Sequence, residues 1–123
     1  MWSVRDAWIL LAIASTRDGD LQSVIARADY INVDIPACDE LRRIVGRLIA
    51  AGLVAEGPRG LVVRVSAFDL IKQSRGKDGI RMVPRRLQAR LTDQVPFPEG
   101  APDWDLAPAD WQRAYDDYRQ AFR

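Results

Sequence analysis

Histidine is absent from the 123 residues, and cysteine occurs once, at Cys38. Without histidine there is no Ser-His or Cys-His nucleophilic pair. A single thiolate cannot complete the ligand sets that hold zinc or copper. Carboxylate acid/base pairs and carboxylate magnesium sites need a tight acidic cluster, and the sequence offers none. The expectation is a protein that is not an enzyme, with no cofactor and no metal. One cysteine also excludes an internal disulfide, which suits a reducing, cytoplasmic setting. With no histidine to deprotonate it, Cys38 reads as a small half-buried residue rather than a nucleophile.

Charge bias and long apolar runs are missing as well. Lys and Arg number 18 against 17 Asp and Glu, a net charge of +1. No global field therefore draws the molecule to nucleic acid or to an anionic membrane. The run from Trp8 to Ala14 is apolar, and Ala12-Ile13-Ala14 resembles a leader-cleavage site. It is preceded only by Arg5, offset by Asp6. It is short for a leader core and far below the roughly 20 residues of a membrane span. The reading is a buried helix and no membrane. What is present is ordinary for one globular domain: 48% apolar and 28% charged residues, on a chain long enough for its own core.

Ser3 followed by Asp6 is a helix-start pattern, and a first helix is expected from Val4 to about Ser15, apolar most of the way round and hence central. Arg17-Asp18-Gly19 breaks it. Asp20 caps a second helix in which Leu21, Val24, Ile25 and Ala28 share a face, ending near Tyr30. Pro36 opens a third helix to Ala51. Its apolar stripe is Leu41, Ile44, Val45, Leu48 and Ile49. Asp39, Arg43, Gly46 and Ala50 lie opposite, with Arg42 and Arg47 on the flanks. Gly52 ends it. Leu53–Glu56 and Leu61–Val65 form a hairpin around Gly57-Pro58-Arg59-Gly60, a type I turn pattern, and a short helix follows from Ala67 to Ser74.

Charge is then segregated. Lys72, Arg75, Lys77, Arg81, Arg85, Arg86 and Arg90 face Asp78 alone, an excess of six positive charges. From Asp93 onward, seven acids meet three arginines. Pro96, Pro98, Pro102 and Pro108 predict a segment that is either extended and laid over the domain or loosely ordered. A last helix opens at Pro108, with Trp111, Tyr115, Tyr118 and Phe122 at i, i+4, i+7 and i+11. The divisions are 1–71, a basic segment 72–92, a Pro-rich segment 93–107 and a final helix 108–123.

Helix, helix, turn, helix and hairpin is the order of a winged helix-turn-helix. The densest signal is Asp39 to Val65, where Leu48-Ile49-Ala50-Ala51-Gly52-Leu53-Val54 runs from helix into wing. This resembles the multiple-antibiotic-resistance type of transcription regulator over about residues 4–66. The resemblance implies a mainly α fold: a winged helix-turn-helix with a two-stranded β-wing and, here, a C-terminal helical extension. It also implies a DNA-binding protein acting as a dimer on double-stranded DNA. On that reading Arg43 and Arg47 contact DNA from the third helix with Arg42 at its edge. Arg59 reaches phosphate or minor groove from the wing tip, supported by Arg64.

A plainer reading stands beside each feature. Arg43 and Arg47 can pair with Asp39, Glu40 or other acids. Asp39 and Glu40 suit the helix dipole but repel phosphate, and through Ile71 there are eight basic against nine acidic residues. The basic run can pair with the chain's own acidic C-terminal third, within the fold or across a homodimer. Trp111, Tyr115, Tyr118 and Phe122 can be core, or a dimer or partner seam. The alternative function is a winged-helix protein–protein interaction module without DNA binding.

Overall fold

Helix starts and stops are written locally. In the computed structural model, which describes residues 1–121, the Ser3 hydroxyl accepts from the Asp6 amide and the Asp6 carboxylate accepts from the Ser3 amide. This capping box opens α1 (Val4–Ala14). Asp20 caps α2 (Leu21–Asn32) through the Ser23 amide. Helix α3 (Cys38–Ala50) begins two residues later than Pro36 suggests, with Asp39 and Glu40 in its first turn. Its exit is a Schellman turn. The Leu53 amide reaches the Leu48 carbonyl, the Gly52 amide reaches Ile49, and Gly52 takes φ +75°, a conformation that glycine adopts without steric cost.

That turn delivers the chain into β1 (Val54–Glu56), which pairs antiparallel with β2 (Leu61–Val63), Val54 opposite Val63 and Glu56 opposite Leu61. The hairpin is tied to the α1–α2 turn by one backbone bond, from the Leu61 amide to the Gly19 carbonyl. Then α4 (Val65–Ser74), a 3-10 turn (Ile80–Met82), α5 (Val83–Gln94) and α6 (Pro108–Ala121) follow. The protein is mainly helical, with one two-stranded antiparallel sheet.

Helix α1 is the hub. Residues Asp6 to Ile13 are all buried, because α2, α3, β2 and α5 pack around it. The basic run expected as a separate segment is not one. The division at residue 71 falls inside α4, and most of the run's second half is α5. Val83, Leu87 and Leu91 recur at i, i+4 and i+8 and bury α5 against α1 and α4. Residues 95–107 form the expected extended strap, and α6 packs on α2. Each of the four tryptophans uses its indole N–H as a stitch: Trp8 to Ala28, Trp2 to Val95, Trp104 to Glu56 and Trp111 to Pro36. Three of the four bind the chain after α5 to the rest of the domain. No helix among the described residues is long and apolar enough to cross a membrane.

Candidate functional site

The face of α3 opposite its apolar stripe is the surface a DNA-reading winged helix would use, and here one edge of it is occupied, while Asp39, Arg43 and Ala50 remain exposed. The strap crosses it at Gly46. A β-carbon at that position would stand 2.2 Å from the Pro102 carbonyl oxygen and 3.0 Å from the Trp104 nitrogen. Only a glycine lets the two backbones meet this closely. The Trp104 amide then donates to the Arg42 carbonyl at 2.9 Å, and the Trp104 indole donates to Glu56 of β1 at 2.6 Å. The strap therefore lies across both α3 and β1, and brings Asp103 and Asp105 with it.

The three arginines expected on α3 have separate fates. Arg47 turns inward: its Nη2 lies 2.6 Å from Oδ1 of Asp6, and its Nε 3.2 Å from the same oxygen. Asp6 is 1% exposed, so Arg47 is the counter-charge of a buried carboxylate and is not presented to a ligand. Arg42 is half-buried under the strap, with its Nε 3.4 Å from the Trp104 carbonyl and a long 3.9 Å approach to Asp39. Arg43 alone is exposed and has no ion-pair partner among the described residues. The pairing of Arg43 and Arg47 with Asp39 and Glu40 does not occur. Glu40 is instead taken by Arg5, which also reaches Asp34. These bonds, Glu40 foremost, hold the Arg5 pKa above its usual value.

At the turn of the hairpin, Arg59 is exposed and stands 3.8 Å from Asp18, while Arg64 lies past β2 as the N-cap of α4. Arg64 is exposed and unpaired among the described residues. On the aromatic face of α6, Tyr118 joins a small core cluster and Trp111 and Tyr115 are partly buried against it. Tyr118 is buried and donates to Asp29 at 2.5 Å, while Trp111 and Tyr115 stack at 5.2 Å beside Ile25 of α2. Phe122 lies outside the described residues. Burial, together with the Asp29 bond, raises the Tyr118 pKa to about 12. Cys38 is half-buried, and desolvation, with the Asp39 charge behind it, raises its thiol pKa. A raised pKa disfavours the thiolate a nucleophile needs. No cluster of three or more acidic or thiol side chains among the described residues is placed to hold a metal ion.

Neutralisation of the basic run by the acidic C-terminal third is not found among the described residues. Arg86 forms a bidentate pair with Asp78, inside the run, and Arg90 bonds Gln73. Asp110 pairs within α6 with Arg113. Lys72, Arg75, Lys77, Arg81 and Arg85 are exposed and make no ion pair among the described residues. Except for Asp93 on α5, the acids lie on the strap and α6, against α3 and α2, whereas the cations sit on α4, α5 and the turn between them.

Sequence reasoning missed two residues of this surface. Gly46 was placed on the outward face without a role, although a mid-helix glycine costs about 1 kcal/mol relative to alanine and asks for a reason. Trp104 carried no periodic signal that could have revealed it as the strap's anchor. No family model, curated protein or solved structure matches the chain, so a functional reading rests on this geometry.

Proposed function

We propose that this chain is a winged-helix module that works by holding a protein partner, and that it does not read duplex DNA through α3. The observation that carries this reading is the strap seated on Gly46. With strap backbone along the Arg42–Gly46 flank of α3 and Asp103 and Asp105 beside it, only the strip of Asp39, Arg43 and Ala50 stays open, so the helix is hindered from entering a major groove and phosphates would meet like charge there. Two of the three α3 arginines are also committed within the fold. The surfaces left open mix cations with exposed apolar side chains, as protein-binding surfaces do.

A second reading is favoured by the cations of the basic run that have no partner among the described residues. On it the protein is a DNA-binding regulator of winged-helix type that grips phosphate through the wing and α4, with Arg59, Arg64, Lys72 and Arg75 as contacts.

Fluorescence anisotropy with mixed-sequence duplex DNA over a salt series separates the readings. Under the first, Arg43→Ala leaves any residual binding unchanged. Steeply salt-dependent binding that Arg43→Ala weakens would restore α3 as a DNA-reading helix and overturn it. Binding unaffected by Arg43→Ala but lost in Lys72→Ala/Arg75→Ala would favour the second.

A further inference from the structure

We infer that the outward face of α4 is the docking surface of this module. Its occupant is an amphipathic helix of a partner protein, with apolar side chains on one half of its contact face and carboxylates on the other. The inference rests on the protein-partner reading above.

Val65, Phe68, Lys72 and Arg75 stand at i, i+3, i+7 and i+10, which places them within about 80° of one another around α4. Ala67, Leu70, Ile71 and Ser74 take the opposite side and bury against the domain. The outward face is thus apolar along its first half and cationic along its second. Val65 is 77% exposed and Phe68 47%, and Val62 of β2, next to Phe68 along a surface groove, is 49% exposed. Phe68 is a ridge with a hollow on each side. One hollow runs to Val62, Arg17 and Asp18, the other to Asp69, Ile71, Lys72 and Arg75. Side chains projecting from a helix fit such hollows in the way ridges pack into grooves.

Charge selects the occupant. Arg17, Arg64, Lys72 and Arg75 border this face and make no ion pair among the described residues; Asp69 and Asp18, the latter paired with Arg59, border it too and leave cations in excess. A carboxylate arriving there gains a partner without breaking an existing pair. A nucleic-acid backbone would gain the same charge contacts, but it would set phosphates against Val62, Val65 and Phe68, where an apolar surface is needed. A partner helix of three to four turns spans α4, whose ten residues are about 15 Å long.

The probe is a displayed library of helical peptides, randomised on one face and selected against the full chain. Enriched peptides should share the apolar-then-acidic pattern and bind wild type at least tenfold more tightly than Val65→Ser/Phe68→Ser. Lys72→Glu/Arg75→Glu should weaken them similarly, and replacing the peptide's Glu by Lys should recover that variant. Near-UV circular dichroism and Tm confirm that the variants are folded. No enrichment, or peptides that bind Val65→Ser/Phe68→Ser as well as wild type, would overturn the α4 assignment. The partner reading itself would then still stand, since it falls to duplex DNA binding that depends on Arg43 or on Lys72 and Arg75, and not to a failed peptide selection. Duplex DNA bound by wild type and lost in Lys72→Glu/Arg75→Glu would make the face a phosphate surface and also overturn the assignment.

Discussion

Replacing Gly46 by alanine tests the covering of α3 through the sign of a stability change. In an open helix interior this substitution stabilises by about 1 kcal/mol, because glycine has more chain entropy to lose. Here the new β-carbon would sit 2.2 Å from the Pro102 carbonyl oxygen. That oxygen belongs to backbone and cannot rotate away, so the strap must recede by about 1 Å to reach ordinary contact. Receding strains the bond from the Trp104 amide to Arg42 and the bond from the Trp104 indole to Glu56. Two weakened hydrogen bonds cost about 1–3 kcal/mol, and looser packing around Leu106 adds about 1 kcal/mol. After the gain in helix preference, the net is a loss of about 1–3 kcal/mol. Urea unfolding followed by tryptophan fluorescence reads this directly. If the strap is anchored through Trp104, the loss shrinks in a Trp104→Ala background, a coupling that a double-mutant cycle measures. A Gly46→Ala protein more stable than wild type would mean that the strap does not lie on α3, and the argument against groove entry would fail.

Arg47→Met strands the buried Asp6 carboxylate with the Ser3 amide alone; since Arg47 is a quarter exposed, the expected loss is about 2–3 kcal/mol, against less than about 0.5 kcal/mol for Arg43→Ala, both by chemical denaturation. Tyr118 has a folded pKa raised to about 12 from an ordinary value of about 10. Its contribution is therefore complete below about pH 10 and is lost as pH rises through about 12; Tyr118→Phe should flatten that part of a Tm-against-pH curve, and an unchanged slope would show that other groups cause it. Val33, exposed and left-handed at φ 50° where α2 ends, should become glycine with a gain of about 0.5–1 kcal/mol. A loss in thermal denaturation would show that the valine side chain has packing worth more than its strain.

How far the sequence was legible follows the range of the interactions. The capping box at Ser3 and Asp6, the Asp20 cap and the Gly52 exit are made within a few residues, so α1, α2 and α3 were readable to within about two residues at most ends. The strap was readable from its prolines, and the order of helices and hairpin is as expected. Helix α5 is masked in the sequence by seven cations between residues 72 and 90, which dominate its pattern. The spacing of Val83, Leu87 and Leu91 was there to be read. The candidate site was less legible, since it depends on contacts across long stretches of chain. Nothing near Arg47 in sequence points to Asp6, 41 residues away, and nothing near Gly46 points to Pro102. Arg42, Arg43 and Arg47 look alike in sequence; tertiary contacts make one a structural counter-charge, one a strap contact and one a free surface group.

The same contacts decide which face of the domain is available. The arm after α5 is anchored by Trp104 on Glu56, by the Trp104 amide on Arg42, by Trp111 on Pro36 and by Tyr118 on Asp29. These four bonds spread the attachment over β1, α3, the loop before α3, and α2. Lifting the strap from Gly46 alone leaves Trp111 and Tyr118 in place. Freeing α6 alone leaves the strap on α3. Exposure of the whole α2–α3 surface thus requires both parts to open together, along with the burial of Leu106, Ala114 and Tyr118, which is a sub-global unfolding event rather than a side-chain fluctuation. Helix α4 needs no such event: Val65 and Phe68 are open to solvent in the closed fold. A partner that meets this protein in its ground state therefore finds α4 and the hairpin open, and a ligand that requires the Arg42–Gly46 flank of α3 must first supply the free energy of opening the arm.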